Sequence, residues 1–237
     1  DELTDDYRWR GYSVPRASNA NYAWILHMIS KLDVNHGIAG FLLANGALND
    51  PDEFEIRKQL LENDKVEAII VLPRDMFYTT DISVTLWIVN MNKKAGVVNG
   101  RQLRDRTNEI LFMDLRRWDN NIEEIVIDKG KKKKKTVLTD EQIAEIKKVY
   151  SAWQSADKSE YKNEPEFCQS ATISDLRAHN YTLAPSKYIE FIDHDLDINY
   201  EKEMARIQIE MQDVMKAEKK SQLMLEEAFR GIGYGID

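Results

Sequence analysis

The spacing of apolar residues divides the first half of the chain into alternating helices and buried strands. Ile25, Met28, Ile29 and Leu32 recur at helical spacing behind Asn19, a candidate N-cap, and Asn35-His36-Gly37 ends the run. Ile38 to Ala44 (IAGFLLA) is then a short continuous apolar run between turn residues, which predicts a strand buried on both faces of an α/β sheet. Asp50-Pro51 opens a second helix with Phe54, Ile56, Leu60 and Leu61 on its inner side, ending near Asn63. Val66 to Leu72 (VEAIIVL) predicts a second buried strand, stopped by Pro73. A third, Ile82 to Asn90, follows after only nine residues, Pro73 to Asp81. A parallel crossover needs about a dozen or more, so the two strands are expected to run antiparallel. A polar stretch leads to a fourth strand, Glu109 to Leu115. This order describes the closing half of an open α/β sheet with one reversed strand.

Past Arg116-Arg117-Trp118 the character changes. Gly130 and five consecutive lysines, Lys131 to Lys135, read as a solvated loop. Thr139-x-x-Gln142 has the form of a capping box, and Ile143, Ile146, Tyr150 and Trp153 continue an amphipathic helix. Tyr161 to Ile189 reads as irregular, with one short helix capped by Ser174 and ended by Asn180. A long helix from about Asn199 to Arg230, stopped by Gly231, carries Met204, Ile207, Met211 and Val214 at three- and four-residue spacing. Leu225 and Ala228 share the register, while Glu218 and Ser221 interrupt it, which argues against a perfect coiled coil. The expected organisation is a sheet-bearing part over 1–128, a basic loop over 129–138 and an α-helical region over 139–237.

Composition narrows the partners. The chain has 237 residues, 43% hydrophobic and 31% charged, and no apolar run near the roughly 20 residues of a membrane span. The acidic start, Asp1 to Asp6, lacks the apolar core of a secretory signal, and Cys168 alone forms no internal disulfide, so a reducing cytoplasm is the expected home. With 33 basic and 41 acidic residues the net charge is −8, which disfavours a binder that is basic all over. Glu190 to Arg230 holds 11 acidic and 6 basic residues, so −5 of the −8 lies in the tail.

Few motifs carry chemistry. His27, His36, His179 and His194 are scattered without metal-ligand spacing. Gly231-Ile232-Gly233-Tyr234-Gly235 follows a helix and not a strand, so it reads as a helix stop, not a phosphate cradle. Tyr7-Arg8-Trp9-Arg10-Gly11-Tyr12 with Arg16 interleaves cations and aromatics, as a surface for backbone phosphates and unstacked bases would, or as a loop packed on its own domain. Phe77-Tyr78-Thr79-Thr80 lies beyond the C-terminal end of a strand, where α/β sheets bind ligands, and is a candidate pocket wall.

The blocks Arg8-Trp9-Arg10-Gly11-Tyr12-Ser13-Val14-Pro15 and Asn19-Ala20-Asn21-Tyr22-Ala23-Trp24-Ile25-Leu26-His27-Met28 resemble the modification (methyltransferase) subunit of type I restriction-modification systems. Ala39 to Leu48, Ile56-Arg57-Lys58, Ala68 to Pro73, Met76 to Ile82, Leu111 to Arg116, Leu138 to Ile143, Tyr181 to Ile189 and the terminal Gly-Ile-Gly-Tyr continue it in the family's order. The resemblance covers essentially the whole chain. It implies an S-adenosylmethionine-dependent transfer of methyl to adenine N6 in DNA, on a Rossmann-like sheet with one antiparallel strand followed by an α-helical C-terminal region.

Two family motifs are absent: the Gly-rich Asp-Pro-x-x-Gly-x-Gly cofactor loop and the Asn-Pro-Pro-Phe that holds the target base. Both precede the Trp9 region in the family, so the chain is expected to be a C-terminal fragment, inactive by itself. On the resemblance, Tyr7, Arg8, Trp9, Arg10, Arg16, Phe77 and Tyr78 would meet DNA or the flipped base. Asn19, Asn21 and Tyr22 would border the cofactor pocket. The implied partners are DNA, a specificity subunit and a restriction subunit. Met204, Ile207, Met211, Val214, Leu225 and Phe229 are the docking candidates, with packing inside the chain as the alternative. A sheet edge left unpaired at Ile38 would favour self-association. A non-catalytic scaffold that binds a specificity subunit is the rival reading, and a nucleotide-dependent oxidoreductase lacks its Gly-x-Gly-x-x-Gly turn.

Overall fold

The computed structural model describes residues 3–126, 130, 132–157, 160–192 and 200–234. In chain order the strands are β1 (Ile38–Ala44), β2 (Val66–Val71), β3 (Val84–Asn90), β4 (Gly96–Val98), β5 (Arg101–Leu103), β6 (Glu109–Asp114), β7 (Ile122–Val126), β8 (Lys132–Thr136) and β9 (Cys168–Thr172). The helices are α1 (Asn21–Ile29), α2 (Phe54–Glu62), α3 (Asp140–Gln154), α4 (Ile173–Ala178) and α5 (Tyr200–Gly231). Five strands form one mixed sheet in the order β1-β3-β2-β6-β9, and β4-β5 and β7-β8 are separate hairpins.

The expected reversal is present: β3 pairs antiparallel with both β1 and β2, which makes β1 and β2 parallel to one another, and β2 pairs parallel with β6. Strand alternation then sorts the side chains into two cores. Ile69, Val71, Trp87, Val89, Ile110 and Phe112 pack with Tyr22, Ile25, Leu26 and Ile29 of α1 and Ile56, Leu60 and Leu61 of α2. Ala68, Ile70, Leu111 and Met113 pack with Val149 and Trp153 of α3 and with Phe167. The capping box that opens α3 is formed, with the Thr139 side chain accepting from the Gln142 N–H at 3.2 Å and Gln142 Oε1 accepting from the Thr139 N–H at 2.9 Å.

Several expectations need correction. β1 is not buried on both faces: it is the edge of the sheet, alternating half-buried and exposed positions, with Ile38 and Leu42 exposed. Its continuous apolar run mimics an interior strand because composition does not distinguish a covered face from an uncovered one. Lys132 to Lys135 form strand β8, not a loop, with Lys133, Lys134 and Lys135 paired to Ile125, Glu124 and Glu123. The region after 139 is not wholly helical, since β9 returns to the sheet beside β6. The short helix α4 takes Thr172, not Ser174, as its cap.

The first compact unit runs over Asp1–Phe191, and Ile192–Asp237 forms the second. Within the second, α5 has no buried residue, and Met204, Ile207, Met211, Val214 and Leu225 are exposed. Its end is a Schellman stop: the Tyr234 N–H donates to the Phe229 carbonyl at 3.0 Å and the Gly233 N–H to Arg230 at 3.1 Å, with Gly233 at φ +86°. No helix among the described residues is long and apolar enough to cross a membrane.

One surface clasp ties α2 to α4 and the turn after it. Glu62 accepts from Arg177 at 2.8 and 2.6 Å and from the Tyr181 hydroxyl at 2.6 Å, and the Arg177 hydrogen bonds hold its carboxyl down at about 2, below the ordinary 4.5. A carboxylate depressed by folding stabilises the protein above its unfolded pKa and loses that contribution as pH falls toward the folded one. Glu62→Gln is therefore expected to flatten the loss of stability between about pH 4.5 and pH 2, read from urea midpoints against pH. An unchanged acid limb would show that the clasp contributes nothing.

Candidate functional site

The parallel strands β1, β2 and β6 deliver their carboxyl ends to one rim of the sheet, the side on which α/β folds bind ligands. On this rim Asn45, directly after β1, donates from Nδ2 to Ser83 Oγ at 3.1 Å and accepts from Thr85 Oγ1 at 2.7 Å, which pins the start of β3. Ser83 Oγ donates in turn to the Leu72 carbonyl at 2.6 Å. After β6, the Arg116 guanidinium clasps Asp114 at 2.9 and 2.5 Å.

Between Pro73 and Asp81 the chain must reverse from β2 into β3, and Asp75 takes a left-handed φ of 60° to do so. Its N–H donates to the Asp81 carbonyl at 3.3 Å, closing the loop at its base. The loop is held from outside by the lysine strand. The Thr136 N–H donates to the Asp75 carbonyl at 2.9 Å, and Lys133 Nζ donates to the Tyr78 carbonyl at 3.2 Å and pairs with Asp81. Lys135 Nζ stands 4.7 Å from the centre of the Tyr78 ring. Phe77 is half-buried, while Tyr78 is 65% exposed. The loop thus offers an aromatic ring to solvent on a braced backbone, suited to stacking against an unpaired planar group.

The other residues expected at the site fall in different places. Trp9 is buried in the core and its Nε1–H donates to the Leu3 carbonyl at 2.7 Å, so it packs its own domain. Arg8 reaches Asp6 at 2.8 and 2.7 Å and His27 at 3.3 Å, and its guanidinium holds the Asp6 carboxyl at about 2. Tyr7 is exposed and accepts a hydrogen bond from Lys31, and Arg10 is exposed. Tyr7 and Arg8 therefore sit by the last turn of α1. Asn19 and Asn21 sit at its first turn, where Asn19 Oδ1 accepts from the Asn21 N–H at 3.0 Å. Arg16 pairs with Asp52 at 3.0 Å. Among the described residues no hydrogen bond, ion pair or ring contact joins the Tyr7–Arg16 segment to the loop of Phe77 and Tyr78.

The opposite end of the sheet holds a polar cluster that the apolar pattern concealed. Glu67, inside β2, is fully buried and accepts from Arg106 Nε at 3.0 Å, Gln154 Nε2 at 3.1 Å and Asn90 Nδ2 at 2.6 Å. Lys93 donates to the Val66 and Glu109 carbonyls at 2.9 and 2.7 Å and pairs with Asp64 at 2.5 Å. Burial pushes Lys93 down and Asp64 up in spite of their pairing. The one signal in the sequence was a lone glutamate in an otherwise apolar strand. A cavity of about 560 Å³ opens beside this cluster, lined in part by Gly40, Ile88, Arg106, Tyr150 and Gln154. The Cys168 thiol is pushed up by burial, which suits packing and not nucleophilic work.

Of the residues expected at the periphery of an S-adenosylmethionine pocket, Tyr22 and Asn19 have polar atoms engaged within the chain. Tyr22 is fully buried with its hydroxyl donating to the Ala47 carbonyl at 2.7 Å, and Asn19 Nδ2 is spent on Asp50 at 2.5 Å. Asn21 is half-buried at the helix start.

Residues 1–196 match the family model described as N-6 DNA Methylase. The chain is 30% identical to the type I restriction enzyme HindI methylase subunit of Haemophilus influenzae, over 99% of this chain and 48% of that protein. It is also 30% identical to the MjaIX methylase subunit of Methanocaldococcus jannaschii, over 93% of this chain and 36% of that one. The chain thus spans about half or less of the length of these relatives. Among solved structures, the methyltransferase subunit of a type I restriction-modification system from Streptococcus thermophilus superposes with a TM-score of 0.60 at 25% identity, covering 80% of this chain and 35% of that one. The EcoKI M protein, at 18% identity, shares the fold with a TM-score of 0.50, over 90% of this chain and 48% of the other.

Proposed function

Because this chain belongs to the N-6 DNA methylase family, we propose that it forms part of the modification subunit of a type I restriction-modification system, which transfers methyl from S-adenosylmethionine to adenine N6 in DNA. The match over residues 1–196 carries the reading. Within it the sheet is the Rossmann-like platform, and the loop of Phe77 and Tyr78 is part of the wall against which the extruded adenine stacks. Adenine N6 is a weak nucleophile because its lone pair is delocalised into the ring, so its hydrogens must be accepted as methyl arrives. The chain contains no Asn-Pro-Pro-Phe to supply those acceptors. Its own residues accordingly position the base and the partners, and the 237-residue chain alone transfers no methyl.

The test is to assemble the subunit in its full reading frame with a specificity subunit, supply tritiated methyl donor, and hydrolyse the DNA to nucleosides. Label is expected in N6-methyladenosine. Its absence from a folded, assembled complex would overturn the reading.

The exposed helix α5 favours a docking role alongside catalysis. Met204, Ile207, Met211 and Val214 form an uncovered apolar stripe, continued by Leu225 and the half-exposed Phe229. Such a stripe fits a helical partner, here the specificity subunit, and through that assembly the restriction subunit. Met211→Asp with Val214→Asp is expected to abolish co-purification with the specificity subunit while leaving the circular dichroism of the chain intact. Retained co-purification would remove α5 from the interface.

A further inference from the structure

We propose that the β7-β8 hairpin is a sequence-independent binding surface for the phosphate backbone of DNA, fixed to the base-facing loop so that its lysines hold the strand beside the extruded base. The proposal rests on the methylase reading for its ligand and adds to it a surface made by Lys132, Lys134 and Lys135.

Four described lysines in succession form a poor strand. Lysine has low strand propensity, and residues two apart lie on the same face about 6.8 Å from one another, so like charges repel along both faces. The structure nevertheless holds them in register with β7 over the full length of β8. What holds them is the loop. Lys133 is spent on the Phe77 and Tyr78 carbonyls and on Asp81, and Thr136 is anchored on Asp75. Lys133 is thus a bolt, 20% exposed, and the strand is placed by it.

Of the remaining lysines, Lys132 and Lys134 are displayed and Lys135 is half-buried. Lys132 keeps most of its surface in water although it pairs with Glu124 at 3.0 Å, and Lys134 is exposed. Lys135 stands over the Tyr78 ring, which stays 65% exposed. Lys132 and Lys134 repeat at two-residue spacing on one face of the strand, and Lys135 stands on the other beside an exposed aromatic ring, so the hairpin combines what backbone phosphates and an unstacked base each require. The overall charge of −8 makes this patch a local exception, as a surface for a polyanion must be here. The competing explanation is that lysines on a hairpin edge merely deter strand-to-strand aggregation.

The experiment compares the chain with a Lys132→Gln, Lys134→Gln, Lys135→Gln variant, with Lys133 kept as the anchor. Binding of a fluorescein-labelled duplex is followed by anisotropy across a salt series, in two unrelated sequences. Each lost phosphate contact lowers the slope of log affinity against log salt by about 0.9, so the slope is expected to fall by about 2 to 3, equally for both sequences. An unchanged slope would leave edge protection as the role of the lysines and overturn the proposal. Absence of binding by the unaltered chain would overturn it as well, since the hairpin is complete within this chain. Neither outcome touches the methylase reading, which the methyl-transfer assay judges separately.

Discussion

Arg106→Met is expected to destabilise the protein by about 3–5 kcal/mol, the usual cost of removing one partner from a buried ion pair. Arg106 and Glu67 expose 1% and 0% of their side chains and meet at 3.0 Å. Without the guanidinium, the buried Glu67 carboxylate keeps the amide donors of Asn90 and Gln154 but loses its paired cation. Urea denaturation at neutral pH measures the loss. A second variant, Arg106→Met with Glu67→Leu, separates the cost of an orphaned charge from the worth of the pair. It is expected to be less destabilised than Arg106→Met alone, because two apolar side chains leave no unpaired charge behind. Should Arg106→Met lose less than about 1 kcal/mol, burial of the pair would have to be offset by rearrangement or water entry.

The second large effect falls on the loop of Phe77 and Tyr78, proposed above as part of the base wall. Tyr78→Ala is expected to lower kcat/KM for adenine methylation by the assembled subunit roughly 5- to 150-fold, from the loss of about 1–3 kcal/mol of base stacking. Tyr78→Phe should keep most of the activity, since the ring face carries the contact. Because Tyr78 is 65% exposed, its truncation should leave the urea midpoint where it was, which distinguishes loss of stacking from loss of fold. DNA in which the target adenine is mismatched is already partly unstacked and should suffer a smaller loss from the same substitution. Activity within twofold of the unaltered enzyme on paired DNA would take Tyr78 out of the base wall.

The two predictions concern opposite ends of β2. At its amino end lies a buried polar cluster that joins β2 to β3 and α3, and at its carboxyl end lies a loop open to solvent. Rigidity at the first supports presentation at the second: a buried strand held at both faces gives the loop of Phe77 and Tyr78 a fixed base, and the lysine strand closes it from outside. In α/β proteins stability is commonly built into the sheet and function placed on the loops at the carboxyl ends, and the proposed base wall follows that division.

The apolar runs were enough to order α1, α2 and the sheet strands β1, β2, β3 and β6, though not the short β4-β5 hairpin in the polar stretch between β3 and β6, because burial of a helical stripe or a strand leaves an apolar pattern in sequence. The reversal of β3 was legible too, since nine residues do not span a parallel crossover. So were the capping box at Thr139 and the stop at Gly231, where local hydrogen bonding decides the conformation. What depended on distant partners was not legible. Lys132 to Lys135 carry every local sign of a loop, and only pairing with β7 and the anchor on Phe77 and Tyr78 make them a strand. The polar β9 becomes a strand only because β6 offers it an edge. Trp9 and Tyr22 are core, although Trp9 between two arginines has the same local composition whether its ring faces water or the protein interior. The sequence by itself therefore determined the family, the order of elements and their local caps. The tertiary structure decided which faces are covered, since burial is a property of what packs against a residue and not of the residue alone.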